Sequence, residues 1–259
     1  MAGMSGVSLM GSSTSYTDYG RFASGKKVQS AADGAAELSI IQKQESQIRG
    51  YGAGTNNIGS AQDMLNVSDG AMSGIGDYLQ RMRELAVQAS NTAVMSDADR
   101  ANIQMEVDQL KQGISDIASQ TQFNTKNLLD GTDTSFRIAT DSNGSELTVN
   151  TTDSTLRALG IENFDVTKDF NLSSLDSALA KVNSGRSEMG AQSNRLGYAY
   201  NYNTNTSLNT TASKSRLEDL DFPKAISDQK KKAVLREYSL FMQRKMQSED
   251  VNRMRNLFM

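Results

Sequence analysis

Leu79-Gln80-Arg81-Met82-Arg83-Glu84-Leu85-Ala86-Val87-Gln88-Ala89-Ser90-Asn91 closes a long segment in which an apolar residue returns every three or four positions. Ile58, Ala61, Leu65, Met72, Ile75, Leu79, Met82 and Ala86 fall on one seam, with Ser68 in its one polar slot. That spacing predicts a helix with a narrow apolar stripe of the coiled-coil kind. Arg81, Glu84 and Gln88 take the opposite face. Such a stripe has to be covered, and the remaining chain is read for what covers it.

Upstream, the helix extends to about Ala35, on the order of 80 Å of α-helix. Gly50, Gly52, Gly54, Gly59, Gly70, Gly74 and Gly76 lie inside it. Propensity alone predicts a break near 50–57, so a continuous helix requires packing that overrules propensity. Downstream, Ser96-Asp97-Ala98-Asp99 reads as a helix start, with Ser96 as N-cap and acids in the first turn. Ile103, Val107, Leu110, Ile114 and Ile117 follow at alternating spacings of four and three, and the short connection predicts an antiparallel pair. A further helix from about Ser173 to Leu220 carries a similar seam of Leu175, Ala178, Val182, Met189, Leu196 and Ala199.

Between these helices the character changes. Phe136 and Ile138, then Leu147 and Val149, alternate with polar residues on either side of Asp141-Ser142-Asn143-Gly144, which predicts a β-hairpin. Residues 153–171 read as a polar connector anchored by Leu156, Leu159, Ile161 and Phe164.

The ends differ from the middle. Residues 1–24 are rich in Gly and Ser, with Met4, Val7, Met10, Tyr16, Tyr19 and Phe22 at helix-compatible spacing, so a helix is expected only where something packs against it. Gly25 to Ser30 reads as an extended connector. Asp221-Phe222-Pro223 separates the last two helices, and Pro223 suits the first turn of the final one. That helix bears Ile226, Val234, Tyr238, Phe241, Met242, Met246, Met254 and Leu257. The two amphipathic ends are expected to pack on each other or on other copies of the chain.

Composition agrees with a mainly helical protein. The 259 residues include one Pro, where average usage gives about a dozen. Apolar residues make up 37% and charged residues 22%, which favours a thin core over a compact globule. Net charge is −3, but residues 223–259 hold nine Lys/Arg against four Asp/Glu, leaving −8 on the body. With no Cys there is no disulfide or thiol chemistry, and with no His the commonest general base and metal ligand is absent. No apolar run approaches the roughly 20 residues that span a bilayer, and no cleavable signal is visible.

Catalytic and metal sites find little support. Glu218, Asp219 and Asp221 could gather a divalent ion, but read better as a solvated helix end. Lys230-Lys231-Lys232 reads as a solvated face rather than a nucleic-acid or lipid contact. The glycines form no phosphate loop. No catalytic residue, metal or cofactor is expected, and neither nucleic-acid binding nor membrane insertion.

Several motifs resemble bacterial flagellins. Residues 79–91 resemble that family's most recognisable stretch. Ser30-Ala31-Ala32-Asp33-Gly34-Ala35-Ala36 and Gln47-Ile48-Arg49-Gly50 are similar to the start of its outer-domain helix and to a stretch further on. Gln120-Thr121-Gln122-Phe123-Asn124 with Leu128-Leu129 resembles the turn into its β region. Ser215-Arg216-Leu217-Glu218-Asp219 with Asp221-Phe222 resembles the approach to its C-terminal helix. The motifs stand in the family's order and cover roughly residues 22–135 and 172–259.

The resemblance implies a structural, non-enzymatic subunit that leaves the cell unfolded through the flagellar type III channel. It implies polymerisation under a filament cap into an extracellular helical filament, with an export chaperone as a further partner. The expected fold is a long antiparallel coiled-coil-like bundle with a small β-hairpin region and paired terminal helices. Residues 1–33 and 222–259 are expected to form the inner terminal helical domain. Residues 34–221 form the outer bundle, with the β region at about 132–152. Phe22, Val234, Tyr238, Phe241, Met242 and Leu257 are the expected polymerisation residues. The resemblance also implies Toll-like receptor five as a host partner, through an exposed Arg81 and Leu85 facing Glu106, with Gln80 and Gln88 beside them. The chain opens at Met1-Ala2-Gly3-Met4, later than the family usually does, which implies a shortened N-terminal helix. A hook–filament junction adaptor is the alternative. A hydrolase on the same scaffold needs a larger insert than residues 150–171 provide.

Overall fold

The computed structural model describes residues 19–91 and 93–257, with side chains through Met254. Residues 19–24 are helical; the rest of the expected N-terminal helix lies outside the described residues. The elements that follow are α1 (Ala35–Ala89), α2 (Asp97–Gln120), β1 (Gln122–Phe123), β2 (Lys126–Asn127), β3 (Ser135–Ala139), β4 (Glu146–Asn150), α3 (Leu156–Leu159), α4 (Leu172–Glu218) and α5 (Phe222–Leu257). The protein is mainly α, a bundle of long helices with a small hairpin region. The described residues divide into two compact units, one within 46–208 and one joining 19–45 to 209–257.

The first unit holds the seam. Ile58, Leu65, Met72, Ile75, Leu79 and Met82 of α1 are fully buried, together with Val107 and Ile114 of α2 and Leu175, Ala178, Val182, Met189 and Leu196 of α4. The helices are antiparallel. As α1 advances from Gln62 to Asp69, Gly76 and Arg83, its neighbours on α4 run back from Gly197 to Arg186, Val182 and Asp176. On the α2 side, Gly74, Tyr78 and Arg81 meet Ile117, Gly113 and Glu106 in turn. The polar slot is harmless because the buried Ser68 hydroxyl donates to the Met64 carbonyl of its own helix at 3.1 Å. Ser96 caps α2 as its sequence predicts, in a reciprocal capping box with Asp99.

The hairpin pairs Phe136 with Val149 and Ile138 with Leu147, side chains towards the core. Its turn falls at the four residues the sequence indicates. Asp141 to Gly144 form a loop in which Asp141 Oδ1 accepts from the amides of Asn143 and Ser145, and only Gly144 is left-handed, at φ 80°. A tight turn falls between β1 and β2, where Asn124 and Thr125 both have positive φ, at 47° and 65°. In the connector, Thr155 caps α3, and Leu159, Ile161, Phe164 and Val166 are buried.

The helix break expected near 50–57 does not occur, and the hairpin is the reason. A Cβ on Gly54 would lie 2.2 Å from the Thr140 carbonyl oxygen, and one on Gly50 would lie 2.5 Å from Ser142 Cβ. These two glycines, one helical turn apart, let the hairpin backbone lie against α1. Asn57 Nδ2 donates to the Ala139 carbonyl at 3.0 Å, and the buried Asn203 of α4 donates to the Thr140 carbonyl. Two helices thereby satisfy carbonyls that the end of the hairpin leaves open.

In the second unit, Gly25 to Lys27 run beside the end of α4. The Leu220 amide donates to the Gly25 carbonyl at 2.8 Å and the Lys27 amide to the Glu218 carbonyl at 2.6 Å. Phe22 and Phe222 meet with ring centroids 6.2 Å apart. Asp221 caps α5 through its carboxylate and the Lys224 amide, placing Pro223 in the first turn, where no intrahelical donor is needed.

Candidate assembly and recognition surfaces

The apolar stripe of α5 is open. Every described side chain from Lys230 to Met254 is exposed. Val234, Tyr238 and Phe241 are each more than 60% exposed, and Met242 is 37% exposed. Leu235, Leu240 and Met246, outside the expected set, are exposed beside them. Phe22 is half-buried against Phe222. The Leu257 side chain lies outside the described residues. Lys230, Lys231 and Lys232 are exposed on the same helix.

The second surface joins α1 and α2. Arg81 Nε and Nη2 both reach Glu106 Oε1, at 2.9 and 2.8 Å, and Nη1 reaches Glu84 Oε2 at 3.2 Å. These bonds hold the guanidinium in its charged form and raise its pKa further, Glu106 contributing most. Gln80 and Gln88 are exposed alongside. Leu85 corrects the sequence reading. It is not exposed but 3% accessible, part of the core with Met82, Ala86 and Ala89. The buried stripe on α1 widens here to take in position 85 beside Met82 and Ala86.

A cluster in the second unit was not visible in the sequence. Glu218, expected to be solvated, is buried. Its carboxylate meets Lys26 Nζ at 2.5 Å and Lys214 Nζ at 3.4 Å, and Lys214 also faces Glu45 at 3.7 Å. The bond to Glu218 is the main cause of the raised Lys26 pKa. The Lys214–Glu218 pair lies within one turn of α4, but sequence patterning cannot find its second cation, Lys26, which is distant along the chain. A short hydrogen-bonded extension of the connector, the Lys26–Asp219 bridge, brings them together.

Among the described residues no group of three or more acidic, His or Cys side chains could hold a metal ion, and no helix is long and apolar enough to cross a membrane. Long seamed helices, a hairpin locked against them and an exposed apolar terminal helix are the features of a structural, largely helical protein rather than of a pocketed one. Comparison with known proteins agrees. The profile of the bacterial flagellin N-terminal helical region matches residues 12–134, and that of the C-terminal helical region matches residues 172–254. Flagellin of Bacillus subtilis strain 168 is 32% identical over 269 residues, covering 89% of this chain and 88% of the relative. The flagellar filament 31.3 kDa core protein of Treponema maltophilum is 32% identical over 242 residues, covering 84% and 83%. The crystal structure of Bacillus cereus flagellin is 30% identical with a TM-score of 0.52, over 57% of this chain and 88% of that one. The chain belongs to the bacterial flagellin family, the structural subunits of the flagellar filament.

Proposed function

We propose that α5 supplies the inner assembly surface of a motility filament, through Val234, Tyr238, Phe241 and Met242, with Phe22 and Leu257 at its two ends. The observation that supports this is the contrast between two apolar stripes. The seam of residues 58–86 is buried, whereas that of α5 is exposed over more than five turns. Exposed apolar surface on this scale marks an interaction site. Residues 1–33 and 222–259 then serve as the inner terminal domain, and residues 34–221 as the outer bundle. The role is structural, with no catalytic step. The subunit acts outside the cell, with an export chaperone and a filament cap as its partners on the way there.

The test is seeded polymerisation of the full chain. A Tyr238→Ser/Phe241→Ser variant is expected to stay in the supernatant after incubation with sheared filament seeds, with its unfolding transition unchanged. Polymerisation at the wild-type rate refutes the assignment. The junction-adaptor alternative predicts that the wild-type chain does not elongate seeds.

The Arg81–Glu106 surface supports recognition by Toll-like receptor five, with Gln80 and Gln88 at its rim and Leu85 packed beneath as support. A charged, partly fixed Arg beside exposed amides is suited to a binding hot spot. Arg81→Ala is expected to weaken binding to the soluble receptor ectodomain, and unchanged affinity refutes this role.

A further inference from the structure

The chain contains thirteen methionines but no Cys, Trp or His, so no thiol is present to intercept an oxidant first. Apart from Met95, which is half-buried in the loop before α2, its described methionines fall into two groups. Met64, Met72, Met82 and Met189 are buried in the seam at 5% exposure or less. Met242, Met246 and Met254 are exposed on α5, where Met246 and Met254 are at least 60% exposed, and Met105 is exposed on α2. Met242 and Met246 continue the line of Val234 and Tyr238 at four-residue spacing, with Phe241 beside them. Met105 at 61% is as open as Met246 at 62% and Met254 at 60%, so what sets the α5 methionines apart is not exposure but their place on the surface assigned above to assembly, and this inference rests on that reading.

We propose that Met242, Met246 and Met254 are an oxidation site for hydrogen peroxide, and that their sulfoxides block incorporation of the subunit. The thioether sulfur attacks one oxygen of the peroxide. An S–O bond forms as the O–O bond breaks, the sulfur is oxidised by two electrons, and the departing hydroxide takes up the proton lost from the transferred oxygen to leave as water. The product replaces a flexible apolar side chain with a strongly polar one. A sulfoxide within an apolar stripe must be desolvated without a provided donor when a neighbouring copy covers it, which opposes docking. Once docked, the same sulfurs are shielded, so the free subunit is sensitive and the assembled one is resistant. The core methionines are shielded in both states.

The experiment uses the full-length protein treated with hydrogen peroxide, with sulfoxides mapped by peptide mass spectrometry and assembly followed by pelleting with sheared seeds. Sulfoxide is expected to accumulate at the α5 methionines about tenfold faster than at Met64, Met72, Met82 and Met189, in line with exposure. Oxidised protein is expected to elongate seeds about tenfold more slowly, with recovery after treatment with methionine sulfoxide reductase. A Met242→Leu/Met246→Leu/Met254→Leu variant keeps the apolar stripe and is expected to assemble equally before and after peroxide. Met105→Leu is expected to give no such protection. Unchanged assembly of the oxidised wild type, equal loss in the triple Leu variant, or protection by Met105→Leu overturns the switch. An even spread of sulfoxide over core and α5 overturns the site. Untreated wild-type protein that fails to join seeds overturns the assembly reading and the switch with it, while the sulfoxide map still decides the site.

Discussion

Two glycines two residues apart on α1 should respond to alanine in opposite directions. At Gly52 an added Cβ meets nothing within 4 Å, so Gly52→Ala should gain about 1 kcal/mol of helix propensity. Gly54→Ala gains the same local term and loses more. Its Cβ would stand 2.2 Å from the Thr140 oxygen, 2.6 Å from the Thr140 carbonyl carbon and 3.1 Å from the Asp141 nitrogen. All three are backbone atoms, so no rotamer change relieves the contact, and the end of the hairpin must lift away from the helix. Overpacking of this kind costs about 1–3 kcal/mol. Lifting the turn also weakens the bonds from Asn57 to the Ala139 carbonyl and from Asn203 to the Thr140 carbonyl, each worth about 1 kcal/mol. With the propensity gain subtracted, Gly54→Ala should destabilise by roughly 1–4 kcal/mol, placing the two variants about 2–5 kcal/mol apart.

Urea unfolding of the full chain, followed by far-ultraviolet circular dichroism, measures this. The midpoint should rise for Gly52→Ala and fall for Gly54→Ala with little change in slope, because the surface exposed on unfolding is nearly the same. A Gly54→Ala variant as stable as Gly52→Ala would refute the hairpin-docking account. The glycines would then be tolerated rather than required.

Two further outcomes follow from the ion pairs and caps. Glu218→Ala removes the acceptor shared by Lys26 and Lys214 and should cost about 1–3 kcal/mol; it should also speed hydrogen exchange at the Lys27 and Leu220 amides, and unchanged exchange there would contradict a role for Glu218 in holding the connector to the end of α4. On the acid side, the Thr167 hydroxyl and then Lys168 draw the Asp165 carboxyl down to about 2, and Arg21 likewise holds Asp33 well below the usual carboxylate range. Because folding depresses these pKa values, their stabilisation is complete above about pH 4 and is lost as pH falls towards about 2. The urea midpoint should therefore drop across that window, and Asp165→Asn should make the drop shallower.

How much was legible in the sequence depended on the range of the interaction. The seams of α1, α2 and α4 could be read because burial imposes a period on neighbouring residues, and the Ser96–Asp99 box because both its partners lie within one turn. The strands of the hairpin were legible for the same reason. The place of its turn, Asp141 to Gly144, was legible too; what the sequence did not show is that the Asp141 carboxylate captures two amides to hold the four-residue loop. A tight turn formed at Asn124-Thr125, although Thr is a poor residue for positive φ, because the short strands on either side leave only two residues to reverse the chain. Leu85 was misread by a single helix face. The narrow seam through Met82 and Ala86 leaves position 85 at its edge, whereas the buried face extends to include it.

The glycines of α1 and the acid at position 218 show what a one-dimensional reading omits. Gly50 and Gly54 look like helix breakers because their cost is local and their benefit is not. The benefit appears only when a hairpin from residues 135–150 arrives across the helix. Glu218 looks like a solvated helix end because its cations lie at Lys26 and Lys214, and the first of these is near the opposite end of the chain. The stripe on α5 presents the converse case. Its pattern is weak in sequence and its surface is open in the structure, and both follow if the partner that completes it is another copy of the chain. A face shaped by contacts along several directions of a filament need not keep the single narrow seam that one intramolecular partner imposes on α1. Weak patterning and exposed aromatic residues then become two expressions of one cause, and the Tyr238→Ser/Phe241→Ser variant tests that cause directly.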